Sequence, residues 1–505
     1  LEQELALKTR CAQLHHYLAT AGQVPADPDR IVQAQQELNK SRYALDSLLG
    51  VLRRQYPPYF KWKYGGPVAN LKEVQAIART RSATFIEYFW GEKTLYAIVI
   101  GPDKVNWERL NERDRIVSSV NALRDGLSGY SSPMTDDSVA TANFTRFCYH
   151  AALLHHDLLQ PFIAIADTTP LIIVPDGLLG YLPFQILLTR DPDTPDIKQL
   201  NFRNLPYLLR QRPIQYEFSA TALLDNLGKS SGTAGPYRGF APDYQDTTVN
   251  LSARSPLPGN GGNAPSFLAD KNRGELGALR SNRQEIEFCA ACMGGTALVG
   301  AGANKRNFER LAQKAGVLHL AMHALTDNDN PAFSALVFSN TWQNAGRENR
   351  LFAYELCRMQ LNTPLVVLSA CNTGVGKLRK GEGTMSLARA FRHAGCPAII
   401  MSLWPVDDAA GAEISMRFFT RLQQGQDKSQ ALRGAALSFL SETKSDISTQ
   451  PGYWASLVLV GDPKPLKLPE TPSYWLAYVL GLGGISVGIF CWRLWIFGRQ
   501  KTGRA

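Results

Sequence analysis

Cysteine is scarce in this chain, with eight in 505 residues, at positions 11, 148, 289, 292, 357, 371, 396 and 491. That scatter excludes a disulfide-built scaffold and leads us to expect free thiols. Histidine is equally rare. The single CxxC, Cys289 to Cys292, has no second Cys or His pair at zinc spacing, so neither a metal nor any other cofactor is expected. It lies in "EIEFCAACMGG", an amphipathic helical stretch in which core packing is the expected role. Basic residues outnumber acidic ones, 54 to 44, but no basic stripe interleaved with aromatics exists, and nucleic-acid binding is not expected. "GVGK" at 374–377 lacks Walker spacing and a following Ser or Thr, which argues against a nucleotide loop. The chain opens on Leu1 and not on methionine, from which we expect a processed or truncated chain.

What is present describes a folded protein: 45% apolar and 19% charged residues, in a chain long enough for two or three packed units. Residues 1–60 read as a helical hairpin, with Pro25 and Pro28 dividing two arms of regularly spaced leucine and alanine. It forms a hairpin of its own or the end of a helical repeat array. Residues 61–227 alternate short strands, such as "FIEYFW" and "TLYAIVIG", with helical stretches near 107–127 and 144–160. The strand Leu171 to Val174 follows, then a Pro-Asp-Gly turn and a second strand or helix start. Residues 228–276 are rich in Gly, Ser, Pro and Asn and read as a loop or linker interrupted by one strand candidate, "YRGFAP". The α/β alternation resumes over 277–463, which argues for a largely parallel sheet with helices on its faces. "TPLIIVPDG" at 169 weakly echoes "TPLVVLSACNTG" at 363, and only the second carries a cysteine.

Residues 475–497, "WLAYVLGLGGISVGIFCWRLWIF", are long and apolar enough to be read as a C-terminal transmembrane helix ahead of a basic tail, 498–505. The expected location is a single-pass membrane protein. Arg493, Arg499, Lys501 and Arg504 place the tail in the cytoplasm and the rest outside. The alternative is a tail anchor with the body in the cytosol. "GISVG" within this run fits the GxSxG pattern, but no strand precedes its serine, so no serine hydrolase is read there.

"TPLVVLSACNTGVG" ends an apolar strand at Cys371, where the chain must turn. A thiol becomes a nucleophile only beside a base, and the resulting oxyanion needs N–H donors. His323 closes another strand, "GVLHLAMH", about fifty residues upstream. In a parallel sheet both residues come to the carboxyl edge. Asn372, Thr373, Gly374 and Gly376 supply a turn whose N–H groups face a ligand. His319, deeper on the same strand, reads as a core histidine.

"VLHLAMHALTDNDNPAFSALVFS", "LVVLSACNTGVGKLRKGEGTMSLARAFRHAGCPAIIMSLWPVDD" and "PGYWASLVLVGD" together resemble the CHAT family, caspase-like domains commonly attached to tetratricopeptide repeats and related to separase. The resemblance spans roughly residues 60–463. It implies an α/β fold, a caspase-like mostly parallel sheet sandwiched by helices. It also implies a cysteine endopeptidase with a Cys-His dyad in the 277–463 half, the 61–227 half being a non-catalytic counterpart. By position Cys371 matches the nucleophile and His323 the acid-base. The backbone N–H groups of Cys371 and Ala324 match the oxyanion donors, and Ala324 departs from the glycine that many members carry. "WPVDD" resembles the segment that shapes the substrate pocket in separase-like enzymes, so Asp407 or Asp408 would favour cleavage after a basic residue. Either one is equally suited to cap the helix that follows. Glu382 opens another helix and is a candidate substrate contact or a capping residue. The expected partners are a protein or peptide substrate, a protein docking on the upstream helical region, and the membrane through the C-terminal helix. The alternative is a catalytically silent scaffold of the same fold.

Overall fold

The computed structural model describes residues 28–56, 68–91, 94–110, 112–128, 137–162, 169–191, 200–227, 235–244, 278–325, 334–339, 349–369, 378–379, 383–384, 387–404 and 407–467, residues 60 and 165, and single positions between 3 and 18. Helix α1 (Pro28–Gln55) starts at a proline, whose fixed φ suits a first helical turn. Its Ala34 and Leu38 bury against Leu14, Cys11 and Leu18 of the preceding helical positions, and Arg10 pairs with Glu37 across the hairpin.

The body is built on one eleven-stranded sheet, ordered β3-β2-β1-β4-β5-β16-β15-β12-β8-β6-β7. β1 (Thr84–Trp90), β2 (Leu95–Ile100) and β3 (Val105–Leu110) form an antiparallel edge. β4 (Leu171–Val174) and β5 (Ile214–Tyr216) join β1 in parallel. β6 (Tyr237–Ala241), β7 (Thr296–Val299), β8 (Val317–Leu320), β12 (Leu365–Leu368) and β15 (Ala398–Ser402) are also parallel, and β16 (Leu457–Gly461) runs antiparallel to β15. β9 (Ala324–Leu325), β10 (Ala335–Val337) and β11 (Arg350–Phe352) make a small second sheet. β13 (Leu378–Arg379) pairs with β14 (Gly383–Thr384). β4, β8, β12 and β15 are buried along their whole length. A strand covered on both faces must be apolar throughout, which is why "LIIV", "LVVL" and "AIIM" read as continuous runs.

Helices cover both faces. On one face of the first strands, α2 (Leu71–Arg81) and α5 (Ala220–Leu227) bring Val74, Ile77 and Leu223 onto Phe85, Ile172 and Val174. The alternate residues Ile86, Tyr88 and Ile173 enter the main core with α3 (Arg113–Ser128) and α4 (Asp137–Leu158). In the second half, α6 (Asn282–Met293) and α9 (Asp408–Gln423) lie over Tyr237 and His319, α7 (Lys305–Leu311) sends Phe308 against Phe240, and α8 (Leu387–His393) buries Leu387 and Phe391 in the main core. Gly294 ends α6 at φ +64°, a left-handed cap that a side chain disfavours.

The two halves share one core. Tyr216 of β5 is in register with Val460 of β16, and Gln185 Nε2 donates to the carbonyls of Ala455 at 2.9 Å and Leu457 at 3.4 Å. Arg203 crosses to the end of α10 (Lys428–Glu442), donating to the carbonyls of Leu440 and Ser441.

Several sequence expectations change. The helical stretch expected over 107–127 is β3 followed by α3, because "VNWERL" alternates as a strand. The chain after the Pro-Asp-Gly turn forms 3-10 turns, Gly177–Tyr181 and Phe184–Ile186, with the Asp176 carboxylate accepting from the N–H groups of Gly177 and Trp90. The transmembrane helix and the single-pass membrane location are corrected. No helix among the described residues is long and apolar enough to cross a membrane. The expectation rested on the hydropathy of residues 475–497 alone, which lie outside the described residues. The longest described helix, α1, carries charged side chains along its whole length.

His155, buried in α4, has its pKa pushed down to about 4 by burial, with Arg212 and His156 adding to it. In the unfolded chain it takes its proton near the ordinary 6.5. Between those values the unfolded state binds more protons, so stability falls as pH drops from 6.5 towards 4. In His155→Gln, the unfolding midpoint measured across this window should fall less steeply than in the wild type.

Candidate active site

β8 and β12 are adjacent and parallel, with Leu320 opposite Leu368. His323 follows Leu320 by three residues (323 − 320), and Cys371 follows Leu368 by the same three (371 − 368). Cys371 and Glu382 lie outside the described residues. His323 is held by its backbone. Its N–H donates to the Tyr244 hydroxyl at 3.0 Å, its carbonyl accepts from the N–H of Val337 at 3.0 Å, and the Tyr244 hydroxyl donates to the Val337 carbonyl at 2.7 Å. The Tyr244 ring packs on the imidazole with centroids 4.6 Å apart.

Ala324 opens β9 directly opposite Leu336. Because the bond between strands runs from Val337 N–H to the His323 carbonyl, this is a non-hydrogen-bonded pair, so the Ala324 N–H points away from β10. Among the described non-glycine residues only Ser82 and Leu200 have positive φ, so Ala324 occupies this place with an ordinary backbone.

At the same edge, a cavity of about 40 Å³ is lined by Glu285, Met322, Ser369, Ser402, Asp407 and Asp408, among others. The two aspartates differ. Asp407 is exposed and caps α9, its Oδ1 accepting from the Ala410 N–H at 3.0 Å. Asp408 Oδ2 accepts from the N–H of Ser281 at 2.6 Å, where α6 has no side-chain cap of its own. Both therefore carry structural bonds and both border the cavity.

Beneath the edge runs a buried polar chain. His319 Nε2 meets Glu285 Oε1 at 2.9 Å and its Nδ1 meets the Tyr237 hydroxyl at 2.8 Å, with no exposure of the histidine. Both ring nitrogens thus have partners, as a core histidine requires. Burial first, then Cys289 and Glu285, drives the Tyr237 hydroxyl pKa well above its ordinary value. Burial likewise raises the Cys289, Cys292 and Cys357 thiols, the last to about 11. These cysteines are poor nucleophiles. No cluster of three or more metal-ligating side chains occurs among the described residues.

Tyr244, Glu285, Ser369 and Ser402 are additions to the residues read from sequence. Tyr244 falls within the segment read as linker, and its only local signal was the neighbouring "YRGFAP" strand candidate. Under the dyad proposed below, Tyr244→Phe should leave KM unchanged and reduce kcat by up to about 100-fold, because the backbone at His323 loses its bridge to Val337. Steady-state kinetics on a cleaved peptide check this split.

A largely parallel sheet covered by helices defines an α/β protein, and its candidate site residues follow the carboxyl ends of adjacent strands. Residues 150–462 match the CHAT domain, and the chain belongs to that family. It is 28% identical over 237 residues to tetratricopeptide repeat protein 28 of Mus musculus, covering 41% of this chain and 9% of that protein. The chain thus spans about a tenth of that relative's length. Among solved structures it is similar to the Saccharomyces cerevisiae separase–securin complex, with TM-score 0.43, 9% identity, and coverage of 86% of this chain and 34% of that one. It is also similar to the Arg-specific cysteine proteinase gingipain R, with TM-score 0.35, 12% identity, and coverage of 64% and 68%.

Proposed function

We propose that this CHAT domain is a cysteine endopeptidase in which Cys371 is the nucleophile and His323 the acid-base. The observation that carries the reading is the register of β8 and β12, which lets His323 and Cys371 follow adjacent parallel strands at equal distances. In this mechanism His323 takes the thiol proton and the thiolate attacks the peptide carbonyl carbon. The N–H groups of Ala324 and Cys371 stabilise the oxyanion. His323 then protonates the leaving amine, and water, activated by the same imidazole, releases the acyl group. Residues 277–463 carry the chemistry and residues 61–227 buttress it through the shared sheet.

Asp407 and Asp408 give the edge beside the site a negative charge, which favours a Lys or Arg side chain before the cut. Glu382 is a further substrate contact in this reading. The substrate is a protein or peptide, and the helical region at 1–60 is the surface through which a protein partner docks. A positional-scanning peptide library tests the specificity. Wild type should cut after basic residues, and Asp408→Ala should lose at least tenfold of that preference. Cleavage with no basic preference would remove the aspartates from substrate recognition, and no cleavage at all by wild type would favour the silent scaffold.

A further inference from the structure

The parallel ladder between β6 and β8 stops beside the candidate site, and it stops at a proline. Phe240 is in register with Leu320, and the last ladder bond runs from the Ala321 N–H to the Phe240 carbonyl at 3.0 Å. In a parallel pair the next two bonds would run from the N–H of residue 242 to the Ala321 carbonyl and from the His323 N–H to the carbonyl of residue 242. Residue 242 is a proline, which has no N–H to give. The Ala321 carbonyl therefore has no strand partner, two residues (323 − 321) before His323.

Two side chains replace the missing rung. Asn282, the first residue of α6, is 5% exposed, and its Nδ2 donates to the Pro242 carbonyl at 2.9 Å and to the Ala321 carbonyl at 3.3 Å. A carboxamide has two N–H donors, and both are used here, one on each strand end. The His323 N–H, which a continued ladder would send to Pro242, goes to the Tyr244 hydroxyl instead. Beyond this point the chain leaves the large sheet, as the His323 carbonyl accepts from Val337 and β9 joins β10.

Asparagine is mostly a surface residue, and a polar side chain is withdrawn from water at little cost only where its bonds are made. The start of α6 is itself fixed from two sides. Asp408 Oδ2, at the start of α9, accepts from the Ser281 N–H at 2.6 Å, and Glu285, one turn further along α6, meets His319 of β8 at 2.9 Å. The amide is thus presented to β6 and β8 from a helix end that cannot drift.

We propose that Asn282 is a positioning residue for His323, acting through the backbone of β8 and not through contact with substrate. This rests on the dyad proposed above. The two carbonyls it holds lie two residues before His323 on β8 and two before Tyr244 (244 − 242) on β6, so the amide sets the point from which both residues leave the sheet. Without it the carbonyls of two buried residues lose their donor, and the backbone shift that finds them new partners is passed on to the imidazole.

Steady-state cleavage of a peptide by the full chain tests this, with the unfolding midpoint read in parallel. Asn282→Leu, of the same branching but without donors, should lower kcat by about 10- to 100-fold at unchanged KM. Should that variant not fold, Asn282→Ser, whose one hydroxyl donor serves a single carbonyl, should lower kcat by at least about fivefold. Gln215→Leu is the control: it removes a buried amide that donates to the Gly461 carbonyl, at the end of the sheet away from the site. It should lower the midpoint by a few degrees, as Asn282→Leu does, while kcat stays within about twofold of wild type. Because Asn282 and Tyr244 complete one rung, the Asn282→Leu, Tyr244→Phe double variant should be no more than about threefold slower than the slower single variant. Unchanged kcat in a folded Asn282 variant, an equal loss of kcat in Gln215→Leu, or single losses that multiply in the double variant would overturn the proposal and leave the dyad standing. Cleavage that survives Cys371→Ala, or a wild type that cuts nothing, would overturn the dyad and this inference with it.

Discussion

Cys371→Ala should abolish peptide cleavage while the unfolding midpoint stays within a degree of wild type. In the proposed mechanism the Cys371 thiolate is the group that bonds to the substrate carbonyl, and an alanine methyl offers no nucleophile in its place. The perturbed thiols at Cys289, Cys292 and Cys357 are all raised by burial, so none of them rescues the reaction. His323→Ala should lower kcat by about 10²- to 10⁴-fold, the usual contribution of a positioned acid-base group. A thiol-directed peptide probe gives a second readout, labelling wild type at Cys371, labelling His323→Ala slowly, and labelling Cys371→Ala not at all. Full activity in Cys371→Ala would refute the dyad.

Trp454→Ala should cost about 3–5 kcal/mol, the range for deleting a large buried aromatic. The side chain is 1% exposed, its Nε1 donates to the Thr449 carbonyl at 2.9 Å, and its ring meets Tyr207 edge-on at 5.0 Å. Tyr207 belongs to the first half of the body and Trp454 to the second, so the loss is shared. The midpoint should fall by about 5 °C as one cooperative transition, given an unfolding entropy of about 2 cal/mol/K per residue over a body this size. Differential scanning calorimetry decides the matter. Two transitions of which only one moves would mean that the halves fold separately and that the continuous sheet does not couple them.

Much of the second half was legible in the sequence because its signals are local. The helical stretch read in "EIEFCAACMGG" lies in α6 and the helix expected after Asp407 is α9, and the apolar runs of β4 and β12 are strands buried on both faces. The capping role open to Asp407 in the sequence is present, its carboxylate accepting from the Ala410 N–H. By contrast β5, β7 and β11 are only three or four residues long. Unlike β4 and β12, which are as short but wholly aliphatic, "IQY", "TALV" and "RLF" mix polar and apolar residues and exist as strands because the sheet supplies their partners. Tyr244 was hidden for the same reason, since its importance comes from bonds to His323 and Val337, 79 and 93 residues away.

By itself the sequence determined the composition of the core strands and the helix ends set by prolines, glycines and capping residues. Those features depend on neighbours within a few positions, where side-chain type dictates backbone preference. The tertiary structure alone decided the order of the eleven strands, the merging of two halves into one core, the double duty of Asp408 at a helix start and a cavity wall, and the rung that Asn282 and Tyr244 complete. Each of these follows from which distant segments come together. That choice is made by the burial of apolar faces and the satisfaction of polar groups over the whole chain, not by any window of it.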